Sequence, residues 1–305
     1  MWRRLFFLLN SVWSLKNLPK IGSYVELSRP QNIPASMVFY TGGLLAASEG
    51  ANTEYFWENH DCVASMFIIS GISVYSTVIN GYFDAKAGND DSVKNPIVRG
   101  DVSFREVRDF SIKLLISLII GIFCSVESHE LQSIYIFGII FTSIYTQFLK
   151  PIPFIKTLSV ALLACLAPVC GGITYLDGIT NVENSLPLVG LVGASFFGIF
   201  HREILMDVTD IELDRQSGIN TIPVLWGIDK ALLLSLCSAL LMTGYCVMFS
   251  NLQWCGQVGS FIMLTNVFAV YKKSLKGGSV KESCEEAIAS STLTFVMVVL
   301  SFCVW

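Results

Sequence analysis

The run Asp207-Val-Thr-Asp210-Ile-Glu-Leu-Asp214 places three carboxylates at i, i+3 and i+7, and on a helix that spacing projects them from one face. Like charges this close repel and raise one another's pKa. The cost grows when the helix emerges from a long apolar run, so the pattern calls for a counter-ion. A second acidic stretch lies nearer the start of the chain, Asn80-Gly-Tyr-Phe-Asp84-Ala-Lys-Ala-Gly88-Asn-Asp90-Asp91. Asn80 and Asp84 share a helical face at i, i+4, and Gly88 lets the backbone turn so that Asp90 comes back toward them. Two such clusters of oxygen donors suit Mg²⁺, which is commonly held by a few carboxylates together with the phosphate oxygens of a substrate. A diphosphate bridging them through the metal would neutralise both. Lys94, Arg99, Lys150, Arg202 and Arg215 are the basic residues placed to take its remaining charge.

These side chains must be positioned by membrane-spanning helices. The chain is 53% hydrophobic and 14% charged over 305 residues, with a mean hydropathy of +0.60, outside the range of soluble globular domains. Apolar runs near the ~20 residues needed to cross a bilayer lie at Ile33–Ser48, Cys62–Tyr82, Val107–Val126, Leu131–Leu149, Thr157–Leu176, Leu186–Met206, Ala231–Phe249, Val258–Tyr271 and Ala287–Trp305. The expectation is an all-α polytopic membrane protein with nine transmembrane helices in one bundle. With the N-terminus on the inner side, all 20 Lys and Arg residues fall on that side. The opposite connections at 49–61, 127–130, 177–183 and 251–256 carry none, as the positive-inside rule requires of a correct count. Both acidic stretches then end spans of the same orientation, four spans apart, so they meet at one membrane surface. A hydrocarbon tail on the ligand follows from that position above an apolar bundle.

Residues 1–28 are basic and rich in Trp, Leu and Phe, and read as an interfacial or targeting-like segment; residues 29–305 form the membrane domain. The nine cysteines show no CxxC pair or metal-ligand spacing and read as small core residues rather than disulfides or a zinc site. His201, His60 and His129 read as structural. Phe196, Phe197, Phe200 and Tyr145 read as packing residues, with cation–π contact to a carbocation as the alternative. No basic stripe interleaved with aromatics points to nucleic acid.

Asn80-xxx-Asp84-xxx-Gly88-x-Asp90 followed by Asn95-Pro96-Ile-Val-Arg99-Gly100 resembles the first aspartate-rich motif of the UbiA-type intramembrane prenyltransferases. Arg202-Glu-Ile-Leu-Met-Asp207-Val-Thr-Asp210-Ile-Glu-Leu-Asp214-Arg215, leading into Gly218-xx-Thr221-x-Pro223, resembles the second. The Gly-x-Asp form of the first motif is similar to the menaquinone-type and archaeal-lipid-type branches, and Leu213 stands where the second motif usually has Gly. The resemblance implies Mg²⁺-dependent transfer of an isoprenoid chain from a prenyl diphosphate to a hydrophobic or aromatic acceptor, an aromatic or quinone precursor being expected. It implies Asn80, Asp84, Asp90, Asp207, Asp210 and Asp214 at the metal, with Asp84, Asp207, Asp210 and Arg202 central to catalysis. Asn80, Lys94, Arg99, Lys150 and Arg215 are expected at the diphosphate. The alternatives are a cyclase of the same fold, which would need no acceptor, and a cation-coupled transporter, which would place its acids near mid-membrane rather than at span ends.

Overall fold

A computed structural model describes residues 19–48, 53–88, 95–176, 178, 185–216, 218–250 and 253–303. Most of the 1–28 segment, Asp90, Asp91 and Lys94 lie outside them. Among the described residues every regular element is helical. The elements are α1 (Pro19–Ser28), a 3₁₀ turn (Pro30–Asn32), α2 (Ile33–Ala47), α3 (Thr53–Glu58), α4 (His60–Ala87), α5 (Pro96–Arg99), α6 (Phe104–Ser125) and α7 (His129–Ile144). A π-helical turn (Tyr145–Leu149) follows, then α8 (Ile155–Leu176), α9 (Leu186–Thr209), α10 (Ile211–Gln216), α11 (Ile222–Trp226), α12 (Ile228–Phe249), α13 (Gln253–Leu275) and α14 (Lys281–Cys303).

A helix occupies each of the nine apolar runs, and six are long and apolar enough to cross a membrane: α4, α7 with its π turn, α8, α9, α12 and α14. The other three differ for local reasons. Helix α2 has 15 residues, about 22 Å at 1.5 Å per residue. Helix α6 opens with Arg105, Glu106, Arg108 and Asp109, its first turn fixed by a Ser103–Glu106 capping box. Helix α13 carries Lys272 and Lys273 in its last turn. On α6, exposed Ile112, Ile116, Ile120 and Phe123 form an apolar face of the kind lipid covers.

The bundle is built on separate cores that share helices. Tyr40 and Leu44 of α2 and Cys170 and Ile173 of α8 pack with α4, α6 and α7. Ala161 of α8 joins the core of α9, α12, α13 and α14, while Ala46 and Ala47 of α2 pack on α9, α12 and α14. Helices α2 and α8 can serve both sides because they cross almost backbone to backbone. A Cβ on Gly43 would sit 1.9 Å from the Pro168 carbonyl oxygen, and one on Gly171 would sit 2.0 Å from the Tyr40 carbonyl oxygen. Small residues at a membrane helix crossing permit this approach. The buried Tyr40 hydroxyl donates to Thr174 Oγ1 at 3.1 Å and pins the same crossing. Six of the nine free cysteines are buried, as expected of small core residues, whereas Cys124 and Cys237 are exposed on their helices and Cys255 is half-buried. His201 is buried with its Nδ1 2.7 Å from Ser235 Oγ, as expected of a structural residue.

Gly171→Ala must therefore push two helices apart, and we expect a loss of roughly 1–3 kcal/mol, the usual scale of overpacking, read as a lower thermal midpoint in detergent. Gly244→Ala, with nothing within 4 Å of the added methyl, is expected to be neutral or slightly stabilising.

Candidate functional site

Two separate cavities lie in the bundle, with the neighbouring residues Tyr145 and Thr146 lining one each. The larger, about 720 Å³, is lined by Phe83, Asp84 and Ala87 of α4, Thr146, Gln147 and Phe148 of the π turn, Lys150, Pro151 and Lys156, and Asp210, Asp214, Gly218, Ile219 and Asn220. The smaller, about 380 Å³, runs into the bundle between α2, α4, α7, α8 and α9. Its walls are mostly apolar, and its charged lining residues are Arg202 and Glu203.

The charged cavity is organised by two lysine–aspartate pairs. Lys150 Nζ donates to Asp84 Oδ1 and, at 3.1 Å, to Asn80 Oδ1. Asn80 Nδ2 donates to Asp84 Oδ2 at 2.8 Å. The i, i+4 pairing of Asn80 and Asp84 is thus formed, and Gly88 caps α4 in the left-handed region at φ 73°, the conformation in which glycine is favoured. Lys156 Nζ donates to Asp207 Oδ1, whose side chain is only 4% exposed.

The two lysines flank the short connection between α7 and α8, Lys150 at the end of the π turn and Lys156 in the first turn of α8. The π turn bonds the Lys150 amide to the Tyr145 carbonyl at 2.8 Å, one residue further than an α-helix would. That puts Tyr145 on the apolar cavity and Lys150 on the charged one. Pro151 and Pro153 end the helix. Phe154 then takes a left-handed conformation, φ 66°, with its ring edge-on to Phe200 at 5.7 Å, before α8 begins and presents Lys156.

The second acidic stretch does not form one continuous face. Helix α9 ends at Thr209, Asp210 caps it, and α10 starts at Ile211. Asp207 is buried behind Lys156, whereas Asp210 and Asp214 line the cavity. Asp214 Oδ2 is buried beside the Thr221 hydroxyl without a hydrogen bond of good geometry. Burial raises the Asp214 carboxyl above its ordinary pKa, opposed by Lys156 and reinforced by Asp207 and Asp210. A half-satisfied carboxylate beside a second carboxylate fits a hard cation. Among the described residues no three acidic, His or Cys side chains close a metal cage by themselves. That suits a metal that takes much of its coordination from phosphate oxygens and water.

Three basic residues sit elsewhere than the diphosphate reading expects. Arg99 does not line the charged cavity. It bonds Glu26 at 2.7 and 3.0 Å and Asp101 at 2.8 Å, and those two acids raise its pKa. Arg215 is exposed and turns to Glu212 at 3.1 Å, its nearest acid one turn back. Arg202 pairs with Glu203 at 3.4 Å and lines the apolar cavity, not the acidic stretch. Phe196 and Phe200 stack on one another and stay out of both cavities; Tyr145 lines the apolar one. Sequence reasoning missed Lys156, which opens a span and reads as a topological anchor, and Gln147 and Asn220, uncharged residues without a local signal. It gave Glu203 no role.

Such a fold and site, membrane-length helices enclosing a charged cavity and an apolar one, are those of an intramembrane protein. The UbiA prenyltransferase family model matches residues 36–299, and the chain belongs to this family. The match sets the transporter reading aside. It is 28% identical over 213 residues to the digeranylgeranylglyceryl phosphate synthase of Methanosphaera stadtmanae, covering 70% of this chain and 72% of that one. With the Pyrococcus horikoshii synthase of the same name it shares 29% over 224 residues, covering 68% and 70%. Among solved structures, a digeranylgeranylglyceryl phosphate synthase superposes with TM-score 0.68 at 21% identity over 93% of this chain and 97% of the other. A UbiA homologue from Archaeoglobus fulgidus, bound to GPP and Mg²⁺, superposes with TM-score 0.61 at 18% identity, covering 92% and 99%.

Removing one partner of a buried ion pair leaves an uncompensated charge, which costs about 3–5 kcal/mol. Lys156→Met is expected to lower the thermal midpoint accordingly, and Lys156→Met with Asp207→Asn to recover most of it. An unchanged midpoint in the single variant would mean that the pair does not hold the α8–α9 junction.

Proposed function

We propose that this chain transfers an isoprenoid chain from a prenyl diphosphate to an acceptor within the membrane, with Mg²⁺ at the site. The observation that carries the reading is one charged cavity, lined by residues of both acidic stretches and two lysines, in the same bundle as one apolar cavity. In this reading Asn80, Asp84, Asp90, Asp207, Asp210 and Asp214 serve the metal and Lys94, Lys150 and Lys156 the diphosphate. When bound, the metal would stabilise the departing diphosphate. Lys150 and Lys156 sit where phosphate oxygens could exchange with Asp84 and Asp207 as their partners, so the ammoniums are already in place before charge develops. The apolar cavity holds the hydrocarbon and keeps water from the allylic carbon.

The proposed topology keeps nine spans with the N-terminus on the basic face. For the acceptor, an aromatic or quinone precursor is the reading taken from the motifs. The named function of the archaeal relatives favours a second, a glyceryl phosphate lipid. A cyclase would release diphosphate without either.

Membranes carrying the protein, incubated with labelled geranylgeranyl diphosphate and pooled aromatic and glyceryl phosphate acceptors, are expected to release pyrophosphate and form an adduct only with Mg²⁺. EDTA is expected to abolish both, as is the pair Asp84→Ala and Asp207→Ala. Adduct mass identifies the acceptor. Pyrophosphate release with only a cyclised hydrocarbon would make the chain a cyclase, and no release from folded protein with any prenyl length tested would end the transferase reading.

A further inference from the structure

Glu203 is a carboxylate that metal and diphosphate binding leave unused. It sits on α9 one turn before Asp207, with its side chain 14% exposed, and it lines the apolar cavity, whereas Asp84, Asp210 and Asp214 line the charged one. A buried charge in such a wall needs a counter-charge. Arg202 stands 3.4 Å away, and Lys156 and Lys150 contribute from the charged side. Glu203 therefore stands in the wall of the apolar cavity, within electrostatic reach of the lysines that line the charged one.

Other polar groups line the same cavity. Ser73 and Ser76 lie at i, i+3 on one face of α4, and their hydroxyls have no hydrogen-bond partner among the described residues. Asn32, at the start of α2, joins them. Groups left unmatched in an otherwise apolar wall are the kind that orient a polar ligand group. A hydrocarbon tail uses none of them.

We propose that Glu203 is the acceptor-side base of this enzyme, taking the hydroxyl proton of an alcohol- or phenol-type acceptor whose polar end is oriented by Asn32, Ser73 and Ser76. The proposal rests on the transferase reading above. As the C1–O bond to diphosphate breaks, its electron pair leaves with pyrophosphate. An acceptor lone pair forms the new bond to C1, and the O–H proton passes to a Glu203 carboxylate oxygen. For a phenol the same proton loss activates the ring, so oxygen or ring carbon can be the bonded atom. Bonding at carbon is completed when the C–H bond at that carbon breaks, its electron pair restores the aromatic ring, and a proton returns to the phenolate oxygen. Asp210 and Asp214 are poorer candidates, because metal and lysines neutralise them beside the leaving group. Arg202 acts as a positioning residue that keeps Glu203 turned to the cavity.

The test compares wild type, Glu203→Gln and Glu203→Asp with geranylgeranyl diphosphate and Mg²⁺. Geranylgeranylglyceryl phosphate and 4-hydroxybenzoate are the two acceptor probes, run in separate arms. Donor affinity, pyrophosphate release and adduct are measured together. Glu203→Gln is expected to bind the donor as wild type does but form adduct on the order of 100-fold more slowly, with pyrophosphate release no longer matched by adduct. Glu203→Asp is expected to restore part of the rate. The arm in which wild type is active tells whether the hydroxyl is an alcohol or a phenol. Adduct at the wild-type rate in Glu203→Gln overturns the role, and so does equal loss of donor binding. Absence of Mg²⁺-dependent pyrophosphate release in wild type overturns the transferase reading itself.

Discussion

Two ammonium groups at either end of one short connection hold this site together. Lys150 and Lys156 flank the Pro151–Phe154 turn, and each takes one acidic stretch, Lys150 with Asp84 of α4 and Lys156 with Asp207 of α9. The acids of the second stretch repel one another, Asp207 and Asp210 both acting on Asp214, and Lys156 opposes that repulsion. The turn's geometry sets the spacing: a π turn before it, two prolines within it, and Phe154 in a left-handed conformation anchored on Phe200. Those irregularities sit where the chemistry is, as backbone irregularity at functional sites does.

The pairs also explain how a site for a polyanion can persist beside an apolar bundle. An unliganded cluster of carboxylates would be costly, and so would two bare lysines. Paired with Asp84 and Asp207 the lysines offset part of that charge and leave Asp210 and Asp214 in the cavity wall, a site that a diphosphate and metal can re-partition, phosphate to lysine and metal to aspartate. The polar groups are therefore in place before ligand arrives, which is the condition for electrostatic stabilisation at low reorganisation cost.

The deeper cavity depends on a different constraint. Helices α2 and α8 pass at backbone contact through Gly43 and Gly171, which fixes one side of the apolar cavity while α4 and α9 form others. Glu203, Arg202, Ser73 and Ser76 then stand in an otherwise hydrocarbon-lined space, so the bundle separates a charged compartment from one that can recognise a less charged partner.

The sequence by itself determined much of this protein. Apolar run length, Lys and Arg placement and the i, i+4 spacing of Asn80 and Asp84 are local patterns, and local patterns decide where helices form and which face they charge. The break between Asp207 and Asp214 was not legible, because a stripe at i, i+3 and i+7 reads the same whether the helix continues or restarts at Ile211. Nor was the difference between Lys156, Arg99 and Arg215, three basic residues near one surface. Only the tertiary structure decided that Lys156 reaches Asp207, 51 positions away, and Lys150 reaches Asp84, 66 positions away, while Arg99 turns to Glu26, 73 positions away, and to Asp101, and Arg215 to Glu212. Which charges pair is fixed by how the helices cross, and no spacing along the chain carries that information.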